Sequence, residues 1–181
     1  MNKMALHVLA FSDTRTTLEL PDVVFLLGDI PSKMVSKITR KYDCHKVGIL
    51  GNHCHPQNFE GYDVHNLHQK VISVNGYRIA GFEGTPRYKE NTKGQHTEEE
   101  AQSFLDTLTE QQIDIFLAHS NPAYGDLPLD DAHRGFHSFN SMILNNAVKY
   151  FFHGHLHNPF QRIMNNTRVY SVYPFLSVKL P

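Results

Sequence analysis

The sequence predicts an α/β domain with mixed β-sheets, and three observations predict it. Short apolar runs alternate with stretches of helical periodicity along most of the chain. Two pairs of runs flank the turn signals Asn75-Gly76 and Asn165-Asn166, which adds antiparallel hairpins to the parallel strands of an alternating pattern. Finally, 181 residues with 40% apolar side chains suffice for one substantial core, so residues 1–181 are expected to form a single domain.

Taking the elements in order, Leu6–Phe11, Val23–Leu27, Lys46–Leu50, Ile113–Ala118 and Tyr150–Phe152 are rich in Val, Ile, Leu and Phe and read as buried strands. Lys70–Val74 and Tyr77–Phe82 form a hairpin around Asn75-Gly76, and Gln161–Met164 with Val169–Tyr173 a second around Asn165-Asn166. Ser32–Tyr42 reads as a helix with Val35, Ile38 and Tyr42 on one stripe and Met34 beside it. Thr97-Glu98-Glu99-Glu100 has the spacing of a capping box, and the helix it opens turns Ala101, Phe104, Leu105 and Leu108 inward. The three glutamates are favoured there by the helix dipole and need no functional account. A last helix over Ser138–Lys149 carries Phe139, Met142, Ile143 and Val148 on its apolar face. Phe82–His96 and His119–His137 read as long Gly/Pro-punctuated loops, of a length that is often functional in a compact domain.

Composition narrows the function classes. Lys and Arg total 17 against 18 Asp and Glu, a net charge of -1 that argues against a basic nucleic-acid glove or an acidic tail. Cys44 and Cys54 are too few for a disulfide framework and suggest a reducing compartment. The first apolar run, Met4 to Phe11, is too short to span a membrane and lacks a cleavage site. A cytoplasmic protein without a membrane partner is expected, so the sequon Asn165-Asn166-Thr167 carries little weight. The outlier is histidine, with 13 copies scattered from His7 to His157. Imidazole is the commonest metal ligand and the usual proton donor near neutral pH.

The informative pattern lies in the polar residues at the end of each buried strand. In chain order these are Ser12-Asp13, Gly28-Asp29, Gly51-Asn52-His53, His119, and His153-Gly154-His155-Leu156-His157. Ligands of α/β sheets gather at the carboxyl ends of strands. Each signal alone reads as a turn, a cap or a hydrogen-bonded core residue, but five in order at strand ends do not. Mixed carboxylate, amide and imidazole donors suit Mn, Fe or Zn, and the lack of thiolate argues against a structural zinc knot.

These residues resemble the calcineurin-like metallophosphoesterases, whose ordered motifs are D-x-H, G-D, G-N-H, a lone His and G-H-x-H. Here they appear as Asp13-Thr14-Arg15, Gly28-Asp29, Gly51-Asn52-His53, His119 and Gly154-His155-Leu156-His157, from about residue 6 to 157. The stretch from His119 to Gly125, with Gly135 further on, is similar to a smaller bacterial-type subgroup. The resemblance implies two mixed sheets packed as a sandwich with flanking helices, a four-layer αββα fold. It also implies two divalent metal ions, Mn2+ first with Fe, Zn or Ni as alternatives. Asp29 would bridge them, Asp13 and His157 would hold the first, and Asn52, His119 and His155 the second. The implied reaction is hydrolysis of a small phosphomonoester or phosphodiester by a metal-bridging hydroxide, with His53 as proton donor to the leaving group or hydrogen-bond donor to the phosphoryl oxygens.

Two positions depart from the family pattern. Arg15 replaces a histidine ligand, and a guanidinium has no lone pair for a metal. The first site then keeps Asp13, Asp29 and His157 and is expected to bind more weakly, while Arg15 forks onto a phosphate oxygen or pairs with a carboxylate. Cys54 stands where an acid often comes after G-N-H; that acid is not a primary ligand, so its loss need not abolish catalysis. A separate zinc site of His53, Cys54 and His55 is disfavoured because adjacent residues rarely converge on one ion, and Cys44 reads as a buried apolar residue. The two departures motivate an alternative function, a non-catalytic scaffold with a degenerate metal site. A nuclease lacks the basic stripe it would need. His7, His45, His65, His68 and His96 are assigned to surface or core. His55, His133, His137 and His153 border the motif loops and are candidates for shaping the substrate pocket, whereas Tyr124 and Arg134, which could contact a phosphate or a base, read more simply as exposed loop residues.

Overall fold

A computed structural model of the chain describes residues 5–11, 20–90, 92–145 and 147–181. The runs of Val, Ile, Leu and Phe form β1 (Leu6–Phe11), β2 (Val23–Leu27) and β3 (His45–Ile49), with α1 (Ser32–Lys41) between the last two. The short β4 (His65–Asn66) leads to the hairpin of β5 (Lys70–Val74) and β6 (Tyr77–Phe82). A two-stranded ribbon, β7 (Thr85–Pro86) with β8 (Gln95–His96), precedes α2 (Glu98–Thr107). Then come β9 (Ile115–Ala118), α3 (His137–Leu144), β10 (Tyr150–His153), the hairpin of β11 (Phe160–Met164) with β12 (Thr167–Ser171), and β13 (Phe175–Leu180).

Two large sheets result, and both are mixed. The first runs β13-β1-β2-β3-β4, with β1 to β4 parallel and β13 antiparallel against β1. The second runs β11-β12-β10-β9-β6-β5, with four parallel central strands and an antiparallel strand at each edge. The alternation of side chains along a strand explains the layering. Val23, Phe25 and Leu27 of β2 join Ile79, Ile115, Leu117 and Phe152 in a cluster between the sheets. Their neighbours Val24 and Leu26 face outward onto Val35, Ile38 and Tyr42 of the α1 region. On the far side, Phe82, Phe116 and Phe151 meet Phe104 of α2 and Phe139 of α3. Three apolar clusters thus separate four layers, helix, sheet, sheet and helices. Among the described residues, no helix is long and apolar enough to cross a membrane.

Some boundaries differ from the periodicity, each for a local reason. The helix expected over Ser138–Lys149 ends at Leu144: after the last regular bond, from the Asn145 N–H to Ser141, the Ala147 N–H reaches back five residues to Met142, and the Lys149 and Tyr150 N–H groups both donate to the Asp114 carbonyl. That second pairing draws the chain into β10, so Val148 is buried from the connection rather than from a helix face. β9 starts at Ile115 because Asp114, just before it, is taken up by Lys149, Tyr150 and the Arg78 N–H. β12 starts at Thr167, which pairs with Met164 and closes the hairpin on Asn165-Asn166. β3 is displaced by one residue from Lys46–Leu50. β4, β7, β8 and β13 are additional to the elements the sequence pattern revealed.

Candidate metal centre

The carboxyl ends of β2, β3, β9 and β10 lie along one edge, and the sandwich brings the two sheets' edges together there. His119, at the end of β9, donates its Nδ1–H to the carbonyl of Leu27, the last residue of β2, at 2.7 Å. Two glycines permit this approach. A Cβ on Gly28 (φ +86°) would run into the His119 ring and come within 2.6 Å of the Gly51 nitrogen, and one on Gly51 would overlap the Asp29 carboxylate. Asp29, His155 and His157 are themselves left-handed, at φ 51°, 66° and 50°. Non-glycine residues rarely adopt that region, Asp and His more readily than most, and such outliers cluster at functional sites.

The tautomers decide what these groups can bind. Because the Leu27 carbonyl can only accept, Nδ1 of His119 carries a proton, and Nε2 is the nitrogen left to offer a lone pair whenever the ring is neutral. That Nε2 faces Asn52 Oδ1 at 3.1 Å and Asp29 Oδ2 at 3.3 Å. The Asn52 amide is turned by its Nδ2, which donates to the Tyr88 hydroxyl at 3.4 Å. His155 likewise donates Nε2–H to the Ala132 carbonyl at 2.9 Å, which leaves its lone pair on Nδ1. Ligating atoms of Asp29, His119 and His155 all lie within 4.8 Å of one another. A carboxylate, an amide oxygen and two imidazoles therefore converge. One proton on His119 would satisfy one facing acceptor at a time, whereas a divalent cation satisfies all of them, and the mixed O/N set fits such an ion.

The Asp29 carboxylate is held as an anion. Burial acts to raise its pKa, but in the metal-free chain a proton on His119 Nε2 and the His53 amide, donating to Oδ1 at 3.0 Å, outweigh that and lower it to about 2. Burial and the neighbouring His119 lower the His155 pKa to about 3, so its ring is neutral and available as a ligand. Behind Asp29, its own N–H donates to Cys54 Sγ at 3.2 Å. Burial raises the Cys54 pKa and keeps it a thiol. Cys54 thus supports Asp29, a role that the missing acid after Gly51-Asn52-His53 did not suggest. Tyr88 gave no signal in the sequence. Cys44 is half-buried against the α1 side of the first sheet.

The other expected site residues are more scattered. His53 is exposed beside the Asp29 carboxylate that its amide holds. His157 is exposed and its ring packs on Tyr173, 5.0 Å between centroids; it is not among the grouped ligating atoms. Asp13 and Arg15 lie outside the described residues. Of the bordering histidines, His133 stacks on His155 at 4.5 Å and hydrogen-bonds Asp130 at 2.7 Å. Tyr124, expected to be exposed, is buried.

A second group, His68, Glu83 and His96, also brings ligating atoms within 4.8 Å. Its chemistry is different. His68 Nδ1 accepts the Glu83 N–H at 3.1 Å, and burial, with His96 beside it, lowers the ring's pKa to about 4. The neutral ring then carries its proton on Nε2, so neither nitrogen offers a free lone pair. Both imidazoles pack on Phe82, at 5.1 and 5.0 Å.

The family model for calcineurin-like phosphoesterases matches residues 7–159. Solved structures agree in fold. A Thermus thermophilus protein superposes with a TM-score of 0.67 at 15% identity, over 93% of this chain and 89% of that one. A phosphopantetheinyl hydrolase from Mycobacterium tuberculosis gives 0.62 at 13% identity, over 91% and 87%. A calcineurin-like phosphoesterase from Bacillus subtilis gives 0.55 at 14%, over 99% and 86%. No curated protein matches the chain.

Proposed function

The chain belongs to the calcineurin-like phosphoesterase family, and we propose that it hydrolyses a small phosphodiester or phosphomonoester with two divalent cations, Mn2+ foremost. Membership implies metal-dependent phosphoester hydrolysis in general; the residue roles are our reading. The observation that carries it is the convergence of Asp29 Oδ2 and Asn52 Oδ1 on Nε2 of His119. In this reading Asn52, His119 and His155 would hold one cation, Asp13 and His157 the other, and Asp29 would serve both. When bound, the cations supply an activated water and neutralise phosphoryl charge. His53, exposed beside Asp29, gives a proton to the leaving oxygen as the ester bond breaks. Arg15, which has no lone pair for a metal, would leave the Asp13 site the weaker of the two and would be free to fork onto a phosphate oxygen.

The near-zero net charge favours a small ester over nucleic acid, and two free cysteines favour the cytoplasm. We take residues 1–181 as one domain. An aryl phosphodiester and an aryl phosphomonoester assayed with Mn2+ test the reading. Turnover is expected, and His53→Ala should cut it by about 100-fold or more while Mn2+ still binds. Metal binding without turnover of either ester would favour the alternative, a scaffold on the same fold. Two equally tight sites by calorimetry would sink the weakened first site.

A further inference from the structure

We infer that His153, with Tyr124 behind it, is a positioning residue for the metal centre, holding the turn that aims His155 at Asp29 and His119. The inference rests on reading those residues as ligands. His153 closes β10 and is fully buried, on the side of the sheet that Phe151 shares with the helices. Its ring lies among Tyr124 and Phe160, with centroids 5.8 and 6.1 Å away. An apolar side chain would fill that place without needing partners, yet both ring nitrogens are used. Nδ1–H donates to the Gly154 carbonyl at 2.9 Å, and Nε2 accepts the Tyr124 hydroxyl at 2.8 Å. The carbonyl can only accept, which fixes the tautomer.

The partner chosen matters more than the count. The same Gly154 carbonyl accepts the Leu156 N–H at 2.8 Å, and the Gly154 N–H donates to the His119 carbonyl at 3.1 Å. Gly154 therefore joins the end of β9 to the turn, with His155 between the two bonded groups at φ 66°. A left-handed non-glycine residue costs about 1–3 kcal/mol and persists only where its surroundings over-determine it. His153 supplies a side-chain bond to that backbone. Tyr124 is fixed in turn: the Arg162 guanidinium lies 4.5 Å over its ring, held by both Asp126 oxygens at 3.0 and 3.2 Å. Support of this kind behind a ligand changes metal affinity, not only stability.

The test is calorimetric titration of the metal-stripped full chain with Mn2+ and, in parallel, Zn2+. His153→Leu should weaken binding by about 10–100-fold. His153→Asn, whose amide Nδ2 can take the place of Nδ1–H, should recover affinity to within about threefold. Amide exchange on the metal-free proteins gives a second readout. The Gly154 and Leu156 amides should lose protection in His153→Leu while those of Phe151 and Phe152 keep theirs, a pattern general destabilisation would not produce. Wild-type affinity in folded His153→Leu, or His153→Asn no better than His153→Leu, overturns the inference. If His153→Leu does not fold, Tyr124→Phe decides: weakened binding supports the role, and unchanged affinity and exchange overturn it. A wild-type chain that binds neither metal overturns the metal-centre reading itself.

Discussion

Two clusters of this molecule hold similar residues at similar spacing and differ in what stands behind the imidazoles. In the Asp29–His119–His155 cluster a backbone carbonyl backs each ring, Leu27 behind His119 and Ala132 behind His155. Each carbonyl takes a ring proton and leaves a lone pair on the other nitrogen. In the His68–Glu83–His96 cluster a backbone N–H backs His68, and the ring's proton is left on Nε2. Proximity of His and Glu is therefore not the whole of a ligand set; where a backbone group stands behind a ring, its polarity decides which nitrogen keeps the proton.

The largest test of this contrast is removal of the central lone pair. His119→Ala should lower Mn2+ affinity by more than about 100-fold, measured by calorimetry. Retained affinity would mean that the convergent acceptors are not the site. A smaller loss is expected from Gly51→Ala, whose Cβ overlaps the Asp29 carboxylate. Destabilisation of about 1–3 kcal/mol by urea denaturation, with weaker Mn2+ binding, should accompany that overpacking.

Acid sensitivity sharpens the comparison from the other side. His68 and His153 have pKa values near 4 in the folded protein, lowered mainly by burial from an ordinary value of 6.5. The unfolded chain therefore binds protons more readily, so their contribution to stability is present above pH 6.5 and is lost as pH falls toward 4. Asp29, lowered from 3.8 to about 2, adds a loss of the same sign only below that window. In metal-free protein, His68→Phe should reduce the slope of stability against pH between 6.5 and 4 by up to about one proton. An unchanged slope would show that His68 is not held neutral.

The smallest effect on metal binding is expected from His96→Ala. It should leave Mn2+ and Zn2+ affinity within about twofold while costing about 1 kcal/mol of stability through lost packing on Phe82. A class of sites that disappears in this variant would break the contrast between the two clusters.

Much of the fold was legible because its signals are local. Val23–Leu27 is apolar on both faces and lies between two apolar layers. Thr97 and Glu100 form the capping box their spacing announces, with bonds of 3.1 and 2.7 Å. β13 escaped notice although Leu176, Val178 and Leu180 alternate with more exposed residues, because its partner is β1 at the other end of the chain. The end of α3 depends on Asp114, which no helical period records. In the candidate site, the motif order named Asp29, Asn52, His119 and His155, which the fold brings together; it flagged Cys54 only as a departure and His153 only as a neighbour of the motif loops, and Tyr88 not at all.

The residue types at the strand ends, and their order along the chain, are set by the sequence alone, because strand, turn and ligand are neighbours within a few residues. Which nitrogen of each ring carries the proton is not. Leu27 stands 92 positions from His119, and Ala132 stands 23 from His155. Only the packing of one sheet on the other, and the fold of the 119–137 loop, bring those carbonyls behind the rings. A tautomer is set by the nearest hydrogen-bond partner in space, and that is a property of the tertiary structure.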